Sequence, residues 1–374
     1  MIKKINIVIL FGLIIALTTA GCDKKPEEEV TPESSFDKVL MLTNIGENLV
    51  IPAYSNFKIS IDSLYYLNSL FTSSPSSTNL ANVQSQFLKA YTYYQWVSTF
   101  EFGPGENELI RANFNIFPCD TLQIKNKIAA GDFNFSSVES FDAKGFPALD
   151  FLLYGNDHDN NNVLAQYTTD GNAANRKNYL TAIINELKNK TDLVISGWNA
   201  GNYIATFKNN TGSDVGGSIG MLVNQLNYDF ELLKNAKVGI PLGKKTLGTP
   251  MPEKVEALYS TQSLALVTEH LKSIENIYLG RNVLNVDGLG LDDYLVHVNA
   301  QHSSGALNDV IKATFSSAKA KLALITGPLS QAVITNTTTV DAAYAELQKL
   351  VVLLKVDMPS ALGVLITYQD NDGD

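Results

Sequence analysis

The sequence predicts an all-α fold made of two helical bundles. Apolar residues recur at three- and four-residue intervals along nearly the whole chain, which is the period of amphipathic helices. The strict alternation and the dense turn signals of sheet proteins are both missing. With 374 residues, 45% of them hydrophobic and 18% charged, the chain is long enough to bury a large core divided between two compact units.

The first half is predicted to contain five helices. Pro52 lies inside the first of them and is expected to kink it. The second begins at a Ser-Thr-Asn cap and ends before Gly103 and Pro104. The last is a short helix with a proline in its first turn, and it carries one carboxylate, Asp150, among its apolar residues. The predicted ranges are 36–71, 77–103, 105–113, 120–129 and 145–155.

The second half follows a polar loop, "GNDHDNNN", and is predicted to contain six helices. One of them begins at Pro252, a first-turn position, and ends at Gly280. The predicted ranges are 173–208, 214–237, 252–280, 288–298, 303–326 and 339–355.

The two halves share a plan, which indicates an ancient duplication of one bundle. Each has two long helices, then a helix that ends at glycine, then shorter helices, with "FEFGP" and "IYLGR" as the best matching anchors. The Asn- and Gly-rich region at 155–175 is the expected junction. We therefore predict an N-terminal bundle over 36–165 and a C-terminal bundle over 166–374.

The N-terminus predicts a lipid-anchored envelope protein. Two lysines precede an apolar run and the small residues of "TTAGC", so residues 1–21 are typical of a bacterial lipoprotein signal peptide and Cys22 of its lipidation site. An ordinary signal peptide and a membrane span are the alternatives, but the run is too short for a span. Residues 22–35 are charged and rich in proline, as in a disordered tether. Their acidic run resembles the export signal of surface lipoproteins in Bacteroidetes, which implies the outer membrane and its outer face.

Composition and known motifs exclude several functions. The formal net charge is −10 and the basic residues are scattered, so nucleic acid is not an expected partner. After lipidation of Cys22, Cys119 is the only thiol, and it is interpreted as structural. None of the four histidines belongs to a His-Glu-x-x-His motif, and each is expected to be a surface or core residue. The acidic loops at 157–161 and 370–374 have too few ligands for calcium and are interpreted as a solvated turn and tail.

Five stretches of the sequence, in order, resemble imelysin-like proteins of the Bacteroidetes lipoprotein type. They are "WVSTFEFGPGENELIRANFNIFPCD", "GFPALDFLLYG", "NQLNYDFELLKNAKVGIP", "PEKVEALYSTQSLALVTEHLKSIENIYLG" and "VDMPSALGVLITYQDNDGD". The resemblance covers essentially the whole mature chain. It implies two bundles related by duplication, a location in the cell envelope and a role linked to iron uptake. It also carries the metallopeptidase classification that imelysin gave the family.

The family signature Gly-x-His-x-x-Glu aligns with "GFPALD". Gly145 matches, but Pro147 stands at the histidine and Asp150 at the glutamate. The signature works because residues three apart share one helix face and can bind one ion together. Proline offers no ligand atom, although it suits a first helical turn. Ser98 stands where family members often carry a further acid, with Glu101 one turn along, so Asp150 is predicted to be a remnant of the site or an acid reused in a different site.

Three functions remain open, and we favour a non-catalytic binding or accessory lipoprotein without a metal or other cofactor. Its partners would be the membrane, through Cys22, and an iron-uptake component or a small ligand. An active metallopeptidase is the first alternative, but it needs three protein ligands and a general base. A structural envelope protein is the second. The predicted binding cleft consists of Trp96, Ser98, Phe102, Arg111, Gly145, Pro147, Asp150 and Tyr154.

Overall fold

The computed structural model describes residues 35–368. The predicted signal peptide, Cys22, nearly all of the tether and the acidic tail lie outside the described residues. Residues 36–368 belong to one compact unit. The all-α prediction is confirmed: in the described part, the only regular secondary structure besides helices is one short antiparallel pair, Gln301–His302 with Gly305–Ala306.

From residue 35 to Thr168, the described part of the first half contains eight α-helices, with a π-helical segment at Asn44–Val50 and a 3-10 helix at Val138–Ala143. Pro52 lies in the first turn of α2, directly after the π-helical segment. Asp120 caps α6 through its side chain. The helices are α1 (Lys38–Thr43), α2 (Ile51–Ser73), α3 (Ser77–Tyr94), α4 (Pro104–Asn107), α5 (Ile110–Phe114), α6 (Thr121–Ala130), α7 (Gly145–Tyr154) and α8 (Asn160–Thr168).

The second half, as far as residue 368, contains nine α-helices, two further π-helical segments at Leu233–Gly239 and Leu353–Asp357, and a 3-10 turn at Pro252–Lys254. The helices are α9 (Ala173–Asn199), α10 (Tyr203–Asn209), α11 (Ser218–Leu232), α12 (Ser263–Tyr278), α13 (Leu291–His297), α14 (Leu307–Leu322), α15 (Leu329–Thr335), α16 (Thr337–Val352) and α17 (Met358–Leu362).

Several predicted boundaries are wrong, each for a local reason. The helix predicted over 77–103 ends at Tyr94, and the chain then turns. The helix predicted over 173–208 is interrupted before α10, where Asn202 adopts a left-handed conformation with φ of 56°. The helix predicted over 252–280 begins only at Ser263, because residues 255–262 form an irregular loop. Part of the predicted polar loop is α8, whose first turn Asp159 caps.

Two groups of helices share the core. In the first, α2 packs along both α3 and α9, and in the second α14 packs along α16. The predicted division assigned α9 to the second bundle, whereas it packs with the first; the duplication stays a prediction. Contacts between α3 and α12 join the groups. Among residues 35–368, no helix is both long and apolar enough to cross a membrane.

The apolar stripe of α7 lies at the centre of the first group. Phe146 stacks on Tyr91 with the ring centroids 4.6 Å apart, and it also contacts Phe57, Phe87 and Tyr94. These large rings are fully buried, so they contribute a large part of the hydrophobic stabilisation of this group. Their packing places α7, and Asp150 on it, against the loop at 255–262 described below.

Candidate functional site

A partly open cavity of about 210 Å³ lies where α5, α11 and α12 meet the turn that follows α3. Its wall combines aromatic and aliphatic surface with a small number of charged and polar groups, as is usual for ligand sites. The lining residues are Tyr94, Ser98, Arg111, Asn115, Ile116, Phe117, Tyr228, Asp229, Leu232, Ala236, Lys237 and His270.

Four polar side chains form what we call the floor of this cavity: Ser98, Thr99, Asp229 and His270. The other three all contact Asp229, which lies on α11. Its side chain is 2% exposed, and one oxygen, Oδ2, accepts hydrogen bonds from the hydroxyls of Ser98 at 2.9 Å and Thr99 at 2.7 Å. The Nε2 atom of His270 lies 2.7 Å from the same oxygen. Burial opposes ionisation, but His270, the positive charge of Arg111 and the Thr99 hydroxyl together hold the pKa of Asp229 well below its ordinary value. Asp229 is therefore a buried carboxylate whose charge the surrounding donors stabilise.

The contacts of His270 do not form a proton relay. Its Nε2 atom lies 3.2 Å from the Ser98 hydroxyl and also makes the contact with Asp229, whereas Nδ1 has no hydrogen-bond partner among the described residues. In a Ser-His-Asp triad, the serine and the aspartate bind opposite nitrogens of the ring. Burial lowers the pKa of His270, and the attraction of Asp229 offsets this only in part. A neutral imidazole that uses one nitrogen for both partners positions Ser98 but does not activate it.

Arg111 closes one side of the floor. Its Nη1 atom lies 2.9 Å from Glu101 Oε2, and its Nη2 atom donates to the backbone carbonyl of Ser98 at 3.2 Å and lies 3.8 Å from Asp229. The guanidinium plane packs over the ring of Tyr228, 4.7 Å from its centroid. Such an arginine is held on several sides, so little side-chain entropy remains to be lost when a ligand binds beside it.

The opposite wall contains a second buried ion pair. Lys237 Nζ lies 3.0 Å from Glu256 Oε2, and both side chains are almost fully buried. Asn115 donates its Nδ2 hydrogen bond to Glu256 Oε1 at 2.7 Å and accepts one from the hydroxyl of Tyr91 at 2.6 Å. Lys237 and Asn115 line the cavity, whereas Glu256 lies behind them.

A second cavity of about 200 Å³ adjoins the first along α11 and the π-helical segment Leu233–Gly239. Three lining residues are common to both cavities: Tyr228, Leu232 and Ala236. The shared residues recur every four positions, which places them on one helix face. Together the two cavities form a groove along α11.

The structure places only two of the eight predicted cleft residues, Ser98 and Arg111, on the cavity. Trp96 lines a separate small recess and donates its indole N–H to Glu269 at 2.7 Å. Phe102 packs in the core against Trp198 and Phe207.

Tyr154, Gly145 and Pro147, which were also predicted for the cleft, lie on α7 away from the cavity lining. The hydroxyl of Tyr154 donates to the backbone carbonyl of Gln84 at 3.2 Å. Gly145 has φ of +71°, and a Cβ there would lie 2.4 Å from the carbonyl oxygen of Phe114. Glycine is therefore required at this signature position for the close approach of two backbones.

Asp150 is buried, and both of its oxygens bind backbone N–H groups. Its two oxygens accept the backbone N–H groups of Tyr259 at 2.8 Å and Ser260 at 3.0 Å. Burial raises the pKa of Asp150 to about 7, although these hydrogen bonds favour the ionised form. Both carboxylate oxygens of Asp150 are therefore engaged with the backbone of Tyr259 and Ser260.

The signature residues do not fit the metal that the family signature implies. Pro147 has no ligand atom, and both oxygens of Asp150 are engaged by backbone N–H groups. A protein-bound transition metal generally needs three or more side-chain ligands in fixed geometry. Within the described range 35–368, no three His, Cys, Asp or Glu side chains converge as a metal site.

Sequence reasoning missed Asp229 and His270. Both lie on the apolar face of an amphipathic helix, beside core residues such as Leu226, Phe230 and Leu271. Two polar residues at core positions of two long helices were the available signal, because buried ionisable groups need partners. Spacing within one helix could not pair them, since the partners lie 41 positions apart.

The fold and the groove define the class of protein. It is an all-helical domain whose helices enclose a cavity with polar residues at its floor. Comparison with known proteins then gives the family, because the imelysin family model, which is classified among the peptidases, matches residues 50–356. The chain belongs to the imelysin family.

Two solved structures share the fold. A protein described as an iron-regulated protein A precursor from Parabacteroides distasonis matches with a TM-score of 0.72 and 17% identity, covering 87% of this chain and 95% of its own. An imelysin-like protein from Psychrobacter arcticum matches with a TM-score of 0.67 and 17% identity, covering 89% and 97%. No curated protein sequence matches at a significant level.

Proposed function

We propose that this protein is a non-catalytic binding lipoprotein of the bacterial envelope, anchored through Cys22, whose ligand occupies the groove along α11. The observation that carries the proposal is the cavity floor, where Ser98, Thr99 and His270 all contact the carboxylate of Asp229. The guanidinium of Arg111 lies beside the same carboxylate. Such a floor offers a preorganised polar surface inside apolar walls, which suits recognition of a small ligand.

The metallopeptidase alternative receives less support from the same residues. Its signature histidine is Pro147, and Asp150 already binds two backbone N–H groups. Ser98 and His270 do not supply a nucleophile and base, because His270 meets Ser98 and Asp229 through the same nitrogen. Binding without catalysis needs neither arrangement.

The proposed link to iron uptake rests on the family and on one neighbour. The Parabacteroides protein is named for its regulation by iron, and the likeness to it at 17% identity supports a common fold. We extend the iron link to this chain as part of the proposal, together with a location at the outer membrane and exposure on its outer face.

Native mass spectrometry of the protein purified from its own membranes tests the binding function. We expect a ligand mass on the parent protein and its loss in Ala236→Trp, because an indole at this shared wall position would fill the groove. Ala320→Trp, on an exposed position of α14, is the matched control and should keep the ligand. Cultures grown with and without iron test the iron link, since occupancy should differ between them.

Two results would contradict the proposal. One is a ligand mass that Ala236→Trp leaves unchanged, which would place any binding elsewhere. The other is chelator-sensitive cleavage of a peptide library by the parent protein that Ala236→Trp abolishes, which would favour the peptidase.

A further inference from the structure

The loop at 255–262 contains two residues whose backbone conformation is energetically unfavourable. Ala257 and Thr261 adopt φ of 50° and 60°, in the left-handed region that favours glycine. The threonine is β-branched, so its left-handed conformation is a genuine outlier. Such conformations persist only where the surrounding structure determines them from several sides, and they concentrate at functional sites.

Two buried carboxylates hold this loop. Asp150 reaches it from α7 and accepts the N–H groups of Tyr259 and Ser260. Glu256 belongs to the loop itself, is fully buried, and anchors the loop to the cavity wall. At the end of the loop, the Ser263 hydroxyl donates to the Glu256 backbone carbonyl.

The side chain of Glu256 connects the loop to the cavity. It binds Lys237 at 3.0 Å and Asn115 at 2.7 Å, and both of those side chains line the cavity. The Nε2 atom of Gln95 donates to the same carboxylate at 3.3 Å. A shift of the loop would therefore displace the carboxylate that positions one cationic and one amide group of the wall.

We propose that Asp150 is a positioning residue for the cavity: it holds the loop that carries Glu256, and Glu256 holds Lys237 and Asn115 in the wall. The acid at the signature position thus acts on the binding site at a distance, through the backbone of 255–262. That this arrangement serves ligand binding rests on the proposed function. The coupling between Asp150 and the cavity wall through the loop does not depend on it.

The coupling is measured by reductive methylation of lysines, read by mass spectrometry on the full chain, with hydrogen exchange of the peptide spanning 255–262 alongside. In Asp150→Asn, one of the two acceptor oxygens becomes an NH₂ group that opposes a backbone N–H. We expect exchange of the loop and methylation of Lys237 to accelerate on the order of tenfold, because a buried charge-assisted hydrogen bond is lost.

Lys234 is the internal control, since it is also buried on the same π-helical segment and binds Gln348 at 2.8 Å, away from Glu256. Its methylation should stay unchanged. Asp292→Asn is the matched control variant, because Asp292 is another buried carboxylate, paired with Lys312 at 2.8 Å. It should leave Lys237 unreactive.

Equal acceleration at Lys234 and Lys237 would mean general loosening and would overturn the proposal. So would faster exchange of the loop with Lys237 unchanged. If Asp150→Asn does not fold, the parent protein decides: amides of Tyr259 and Ser260 that exchange as fast as in an unstructured peptide would show that Asp150 does not hold the loop and would overturn the proposal. Because no ligand enters these measurements, an empty groove would defeat the proposed function and leave this coupling standing.

Discussion

Replacing Asp229 by alanine should be the most destabilising change in the cavity floor. The carboxylate is 2% exposed, and its Oδ2 atom is the common acceptor for Ser98, Thr99 and His270. Alanine would remove this acceptor and leave the positive charge of Arg111 without its second carboxylate.

The loss of stability in Asp229→Ala depends on the buried groups that lose their acceptor. Removing one partner of a buried charge network costs about 3–5 kcal/mol, because the remaining groups are buried without compensation. The two hydroxyls can rotate toward other acceptors, so we expect Asp229→Ala to lower the free energy of unfolding by about 3–5 kcal/mol rather than by the sum of all contacts. Asp229→Asn keeps the shape and one acceptor, so its cost should be about 1–3 kcal/mol.

Urea unfolding monitored by tryptophan fluorescence measures both values. The chain has two tryptophans, Trp96 and Trp198, and Trp198 is 1% exposed, so its emission should report loss of the core. The Cys22→Ser chain serves as the parent for all variants, because it removes the proposed lipidation site. The slope of the free energy against urea should stay the same, since the surface exposed on unfolding is unchanged.

The pH dependence gives a second check on Asp229. Its pKa is lower in the folded than in the unfolded chain, so its contribution to stability is present above the unfolded value of about 3.9 and is lost as the pH falls below it. Asp229→Asn should lack this part of the acid destabilisation. A cost below about 1 kcal/mol for Asp229→Ala, typical of an ordinary surface position, would refute the reasoning.

Three further predictions concern other parts of the molecule. Burial lowers the pKa of His270, so the unfolded chain should take up its proton first, and in urea unfolding the parent should lose stability relative to His270→Gln as the pH falls through about 6.5; the comparison cancels the opposite contribution of Asp150, and a difference that does not change with pH would contradict it. Gly145→Ala should cost at least about 1–3 kcal/mol in urea unfolding, because φ is +71° and a Cβ would meet the carbonyl of Phe114; an unchanged midpoint would contradict this. Burial raises the pKa of Cys119 to about 12, so in the Cys22→Ser chain an aromatic disulfide reagent at pH 8 should react on the order of a thousandfold more slowly with native than with unfolded protein, and equal rates would show that the thiol is accessible.

The helical fold could be predicted because its signal is local. Apolar periodicity marks α2, α3, α9 and α11, and an N-cap such as Asp120 marks a helix start. The irregular loop at 255–262 was predicted as helix because its apolar spacing continues that of α12. Its true conformation depends on the long-range contacts of Asp150 with Tyr259 and Ser260 and of Glu256 with Lys237. A pattern of neighbouring residues contains no information about such contacts.

The candidate site could be predicted only in part, for a related reason. Ser98 and Arg111 were found through their place in the family resemblance, and both line the cavity. Asp150 was found as an acid on an apolar stripe, but its role depends on two N–H groups more than 100 positions away. Asp229 and His270 lie on different helices, so their pairing appears only when α11 and α12 pack together.

The π-helical segment Leu233–Gly239 determines which side chains of this stretch reach the cavity wall. In an uninterrupted α-helix, successive residues turn by about 100°, so Lys237 would face away from Tyr228, nine positions earlier. The wider π turn, which bonds residues five apart instead of four, brings Lys237 round to the groove beside Ala236. The length of this segment therefore determines the chemistry of the wall, and a chain one residue shorter here would present a different side chain to the cavity even if its sequence were otherwise the same.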